Sequence, residues 1–222
     1  MATQQEQWQE VKDIVAEHLS DLKDMDHTKI KDFATEHGLM TKNSFPKLKT
    51  VLKTKGINYE ALREQASQQR EQELEERAET LADDAAQGPE MSLASAAVEH
   101  EGQASFAVVD DEKQAVWYGR LFDDDRIWTA GDPASAEQSA ADKAVWIAGK
   151  ALKQHGTEAG RLVLSVTHPD LDTDALVKAG VRHNVDVTVR FEDDNAAVDM
   201  AQTPGYQKWQ EYDLSQLIEE DD

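Results

Sequence analysis

The chain has 222 residues, with 45 Asp and Glu against 23 Lys and Arg, and a formal charge of −22 at neutral pH. Phosphate backbones and anionic membrane surfaces repel such a chain unless a divalent metal or a locally basic module intervenes. It holds no cysteine, which excludes disulfides and thiolate metal sites. With neither a basic, apolar leader nor an apolar run of spanning length, a cytoplasmic protein with no membrane partner is expected.

Residues 1–57 read as a small helical bundle. Trp8, Val11, Ile14, Val15, Leu19 and Leu22 recur at helical spacing and give one apolar stripe. Asp26 or Thr28 caps a second helix through Ile30, Phe33 and Ala34, which Gly38 ends. Asn43 or Ser44 opens a third, with Pro46 in its first turn, Phe45, Leu48, Val51 and Leu52 inward, and Gly56 as its stop. Between Thr41 and Lys55 lie five lysines, Lys42, Lys47, Lys49, Lys53 and Lys55, and no acid. Lys49 and Lys53 share a helix face. The patch suits sequence-blind phosphate contacts, and equally a solvated helix face; without Arg it offers no bidentate guanine reading.

Residues 58–103 form a second region. The stretch 60–86 is rich in Glu, Gln, Ala and Arg, with Leu62, Leu74 and Leu81 as its main apolar residues. This composition predicts a long solvated helix, a spacer or a weak coiled-coil arm through which copies could pair. Gln87-Gly88-Pro89 breaks it, and 91–102 reads as a linker.

From residue 104 to 205 the pattern predicts β-β-β-α-β-α-β-α. The strands are 105–110, 115–122, 126–130, 161–167 and 185–191; the helices are 134–154, 172–179 and one opening near Asp194. Residues 206–222 form an acidic tail with a short helix around 214–218. Asp110 ends a strand while Asp142 and Asp199 sit on helices, so the three carboxylates can converge. Converging oxygens suit Mg²⁺, and two such ions can hold the attacking and leaving oxygens of a phosphodiester.

Two stretches carry a family likeness. Ala141–Leu152 (ADKAVWIAGKAL) is similar to the first-helix pattern A-E-Y-x-A-L-x-x-G-L of ribonuclease H domains. Arg190–Ala201 (RFEDDNAAVDMA) is similar to their closing pattern R-x-x-N-x-x-A-D-x-L-A. Over about residues 104–203 the chain resembles the ribonuclease H-like superfamily. The likeness implies a mixed five-stranded sheet flanked by helices, behind the helical bundle and long helix, an α+β or α/β chain. It implies two Mg²⁺ or Mn²⁺ ions on Asp110, Asp142 and Asp199, with Asn195 beside the last, and hydrolysis of RNA in RNA–DNA hybrids or structured RNA. The sequence departs from the pattern in three places. Thr167 stands where the fourth-strand Asp belongs, leaving Asp170 as a substitute ligand. Asp142 is one methylene shorter than Glu, and the glycine-rich loop between the first two strands is absent.

Two further readings stand beside the nuclease. One is a non-catalytic module of the same fold that binds nucleic acid or a protein partner; the other is an acidic phosphate mimic. His168 reads as a loop histidine. Trp117, Tyr118, Trp128 and Trp146 read as core or half-buried aromatics, Gly149 as close packing against the sheet, and Ser139 and Ser165 as lacking any triad.

Overall fold

A computed structural model describes residues 3–218, so residues 219–222 of the acidic tail lie outside the described residues. The chain divides into two compact units, Met1–Glu73 and Leu74–Asp222.

In the first unit the apolar stripe breaks at His18 into α1 (Gln4–Glu17) and α2 (Leu19–Lys23), followed by α3 (His27–Glu36) and α4 (Ser44–Thr54). A reciprocal capping box between Thr3 and Glu6 starts α1. The Asp26 carboxylate caps α3 by accepting from the Thr28 and Lys29 amides. Ahead of α4 the cap is Thr41, whose Oγ1 accepts from the Ser44 amide at 3.0 Å, rather than Asn43. Val11, Val15, Leu22, Ile30, Leu48 and Leu52 close one core. The next helix, α5 (Tyr59–Ala85), is longer than the average helix and exposed along most of its length. Leu62 packs on the first core, while Leu81 and Ala85 pack with Ala159 and Val181 of the second unit.

The second unit is a mixed five-stranded sheet with helices on both faces. Its strands are β1 (Glu90–His100), β2 (Gln103–Asp110), β3 (Ala115–Arg120), β4 (Gly160–Val166) and β5 (Val185–Phe191), in the order β3-β2-β1-β4-β5. The β1–β2 and β2–β3 pairs are antiparallel; β1–β4 and β4–β5 are parallel. Helices α6 (Pro133–His155) and α7 (Thr173–His183) bury Val145, Ile147, Leu152 and Leu176 against Met91, Leu93, Val108 and Leu164 on one face. The short α8 (Ala197–Ala201) covers Ala96, Ala107 and Val109 on the other. This β-β-β-α-β-α-β-α order and its strand arrangement are compatible with a ribonuclease H-like fold.

The element string matches the expectation with one displacement: the expected strands at 105–110 and 115–122 are β2 and β3, the expected strand at 126–130 is absent, and β1 precedes them. Residues 91–102 are no linker: they are most of β1, the central strand. Built from small residues (EMSLASAAVEH) and covered by helices on both faces, β1 lacks both alternation and the β-branched signal of a strand. A two-residue turn with Glu101 and Gly102 both at positive φ joins it to β2. Residues 126–130 form a loop folded around the Asp125 carboxylate, which accepts from the Ile127 and Trp128 amides at 3.0 Å each. Gly149 sits tight for another reason than expected. A Cβ there would lie 2.6 Å from the Cβ of His183, so the close approach is to α7 and not to the sheet.

After α8 the chain rounds the outer edge of β3, bridging Tyr118 through Gln207. It then lays Trp209, Tyr212, Leu214 and Leu217 on the α6 face. The segment 206–218 is thus part of the fold.

Candidate functional site

The parallel strands β1 and β4 pair from Glu90↔Arg161 to Ala94↔Ser165, after which β1 runs on beside β2 alone. Where they part, the sheet must satisfy its freed backbone by other means. Asn195 does so on one side. It is 4% exposed, its Nδ2 donates to the carbonyls of Ser95 (3.0 Å) and Ser165 (3.2 Å), and its Oδ1 accepts from the Ala197 amide (2.8 Å). It therefore ties β1, β4 and the start of α8 together.

Glu137, in the second turn of α6, fills the parting from the other face. It is 6% exposed, and its Oε1 accepts from the Thr167 hydroxyl at 2.5 Å, just past the end of β4. Burial pushes its carboxyl up, against the Thr167 hydroxyl, the Ala97 amide and the nearby charge of His168. Its Oε2 is buried without a hydrogen-bond partner, as is the hydroxyl of Ser95, two residues before Ala97 on the same face of β1. Two orphaned polar atoms at one parting mark a place built for something besides packing.

A second polar cluster lies further along α6. Lys143 Nζ donates to Asp125 Oδ2 at 2.6 Å and lies 2.8 Å from Ser139 Oγ, which itself donates to Asp125 at 2.9 Å. Burial raises the Asp125 carboxyl, but the Lys143 ammonium and the Trp128 and Ile127 amides outweigh it and hold the group down at about 2. Lys143 also lies 5.3 Å over the Phe106 ring. A neighbouring Ser and Lys invite a hydrolase reading, but the Ser139 hydroxyl already donates to Asp125 Oδ2 and Lys143 Nζ donates to the same oxygen, so both are engaged by the carboxylate. The cluster anchors the 121–131 loop to α6.

The four carboxylates expected to bind metal occupy different places. Asp110 ends the second strand rather than the first, opposite Leu93 and level with Leu164. Thr167 lies three residues further along and two strands away, so the two positions are about 14 Å apart. Both oxygens of Asp110 are taken, one by the Gln114 amide and one by the Tyr212 hydroxyl, each at 2.7 Å. Asp142 follows Glu137 by five residues, about 140° around the helix. Burial pushes its carboxyl up while Lys143, His183 and Arg182 pull it down. Asp199 is exposed in the first turn of α8, and Asp170 is exposed in a loop with its amide on His168 Nδ1. Among the described residues no three His, Asp or Glu side chains gather as a metal site. The donors at the β1–β4 parting are one carboxylate and two hydroxyls, too little negative charge for two Mg²⁺ or Mn²⁺ ions.

The lysine patch of the first unit is thinner than its sequence suggests. Lys47 is 8% exposed with its Nζ on Gln7 at 2.5 Å, and Lys49 pairs with Glu60 at 2.6 Å. Lys42, Lys53 and Lys55 are exposed.

Glu137 is the residue that sequence reasoning passed over, although a signal for it existed. The opening A-E-x-x-A of the helix pattern fits Ala136-Glu137-Gln138-Ser139-Ala140 with a true Glu, five residues before Asp142. Ser95 carried none, because its strand was read as a linker. No family model, no curated protein and no solved structure matches this chain.

Proposed function

We propose that residues 74–222 form a divergent ribonuclease H-like module that binds a protein partner and does not cut nucleic acid. The observation that carries this reading is the donor set where β1 and β4 part. A single buried carboxyl, pushed up by burial, accepts from the Thr167 hydroxyl, the Ser95 hydroxyl on β1 has no partner, and such a set gathers no pair of divalent ions. The choice of a protein over nucleic acid rests on charge. Residues 74–222 hold 12 Lys and Arg against 32 Asp and Glu, a net −20. A unit so acidic repels phosphate and attracts a basic protein surface. The helical unit, with two of its five patch lysines engaged internally, supplies little to reverse this.

The test is hydrolysis of a labelled RNA–DNA hybrid by the full chain with Mg²⁺ or Mn²⁺, beside Glu137→Gln and Asp110→Asn. The expected outcome is no metal-dependent cleavage, and hybrid binding whose log–log salt slope is no steeper than about −2.7, the value for three exposed lysines. Metal-dependent cleavage that either substitution removes would restore the nuclease.

A further inference from the structure

We infer that the outer edge of β3 is a docking groove for an extended, basic peptide segment of a partner protein. The inference names the surface through which the proposed protein-binding module acts, and it rests on that reading. β3 is an edge strand, and strand edges with open backbone groups accept another chain. This edge already does so once. Tyr118 exchanges both backbone bonds with Gln207, at 3.2 and 3.0 Å. Leu121 points inward, donating to the Ala104 carbonyl at 2.8 Å, so alternation turns the N–H and C=O of Arg120 outward like those of Tyr118.

The chain's own segment does not continue along that edge. An antiparallel ladder through Tyr118↔Gln207 would put Gly205 opposite Arg120, but Gly205 has φ +106° and Pro204 has no N–H. There the segment peels away, and a groove of about 910 Å³ opens between it and the 121–125 loop. Its lining is mainly apolar, and it includes the two most exposed large apolar side chains of the described residues, Phe122 (70%) and Tyr206 (68%). Tyr206 lies across Gly119, where a Cβ would come within 3.1 Å of the tyrosine Cβ. Exposed aromatics beside an open strand edge suit an extended peptide: backbone bonds give pairing, and alternate side chains enter the apolar groove.

Charge selects the kind of peptide. The unit carries −20; at the groove itself Asp124 and Asp125 stand with Arg120, Lys143 and Lys208, Asp125 being paired with Lys143 and Asp123 lying beside the lining. Arg120, at the pairing position, donates to the neutral Gln103 Oε1 at 2.6 Å and keeps its charge, so with Lys208 it brings the lining close to charge balance. The net charge of the unit, rather than the lining, draws a basic segment towards this edge and repels an acidic one.

The experiment uses the full chain and a fluorescein-labelled decapeptide of alternating arginine and valine. A glutamate–valine counterpart and a single-stranded oligothymidylate serve as the other arms, all read by fluorescence anisotropy. Arg120→Pro removes the outward N–H and leaves the β2–β3 ladder intact. The arginine–valine peptide should bind, and Arg120→Pro and Phe122→Asp should each weaken it about tenfold, the loss of one good contact. If circular dichroism shows Arg120→Pro unfolded, Phe122→Asp decides, since its side chain is exposed. Equal affinity in the variants would mean diffuse charge attraction and overturn the groove. So would no binding by the wild-type chain, or oligothymidylate competing for the site. A groove that fails leaves the non-catalytic reading standing, whereas hybrid cleavage overturns that reading without touching the groove.

Discussion

Asp125 is bonded to α6 and Glu137 belongs to it, and their surroundings push the two carboxylates in opposite directions. Asp125 meets an ammonium, a hydroxyl and two backbone amides, and is held at about 2. Glu137 meets the Thr167 hydroxyl and the Ala97 amide, keeps one oxygen without a hydrogen-bond partner, and is pushed up by burial. Burial acts on both; the partner inventory decides which way each group goes. An anchor is a carboxylate with every lone pair answered. A candidate functional group is one whose surroundings leave something unanswered.

The largest break in this comparison comes from removing the cation. Lys143→Ala should cost about 3 kcal/mol, because it strands a desolvated Asp125. Chemical denaturation at neutral pH measures it. A loss below about 1 kcal/mol would mean the backbone amides alone hold Asp125, and the pair would be a bystander.

Titration sharpens the contrast further. The Asp125 carboxyl is depressed, so its contribution is complete above its ordinary 3.8 and is lost as pH falls through about 2. Glu137 is raised above its ordinary 4.5, so its contribution is complete below that value and is lost as pH rises through the folded one. Glu137→Gln, which keeps an acceptor for Thr167 and cannot ionise, should therefore be the more stable protein at pH 7. The expected gain is about 1 kcal/mol, the scale of one unsatisfied buried acceptor. The difference should shrink as pH drops towards 4.5. A gain that stays constant with pH would show that Glu137 titrates normally and would remove it from the functional site.

How far the sequence could be read follows from the same physics. Helices α3, α4, α6 and α7 announce themselves through caps and apolar periods, as Asp26 and the Asp132-Pro133 start of α6 illustrate. Strands β2, β4 and β5 do so through valines and a phenylalanine. The central strand β1 was hidden by its own position. Helices press on both faces, so it is built from Ala and Ser and has no polar side to betray a period. Losing that one strand moved Asp110 from the second strand to the first in the reading, and with it the presumed site. Glu137 could have been found from its helix pattern. The orphaned oxygens of Glu137 and Ser95 could not, since they arise from a parting between strands about 70 residues apart.

The smallest expected effect is the most pointed. Asp199 is exposed in the first turn of α8, and Asp199→Asn should change stability by no more than about 0.5 kcal/mol. It should leave Mn²⁺ affinity, followed by isothermal titration, where the unaltered chain has it. Glu137→Gln should behave the same way towards the metal, since a carboxyl pushed towards neutrality and bonded to Thr167 is a weak ligand. If both substitutions instead lowered Mn²⁺ affinity, and did so non-additively, the two carboxylates would share an ion. The parting of β1 and β4 would then be a metal site completed by Asp199. The contrast between a satisfied anchor and an unanswered carboxyl would become a contrast between structure and catalysis.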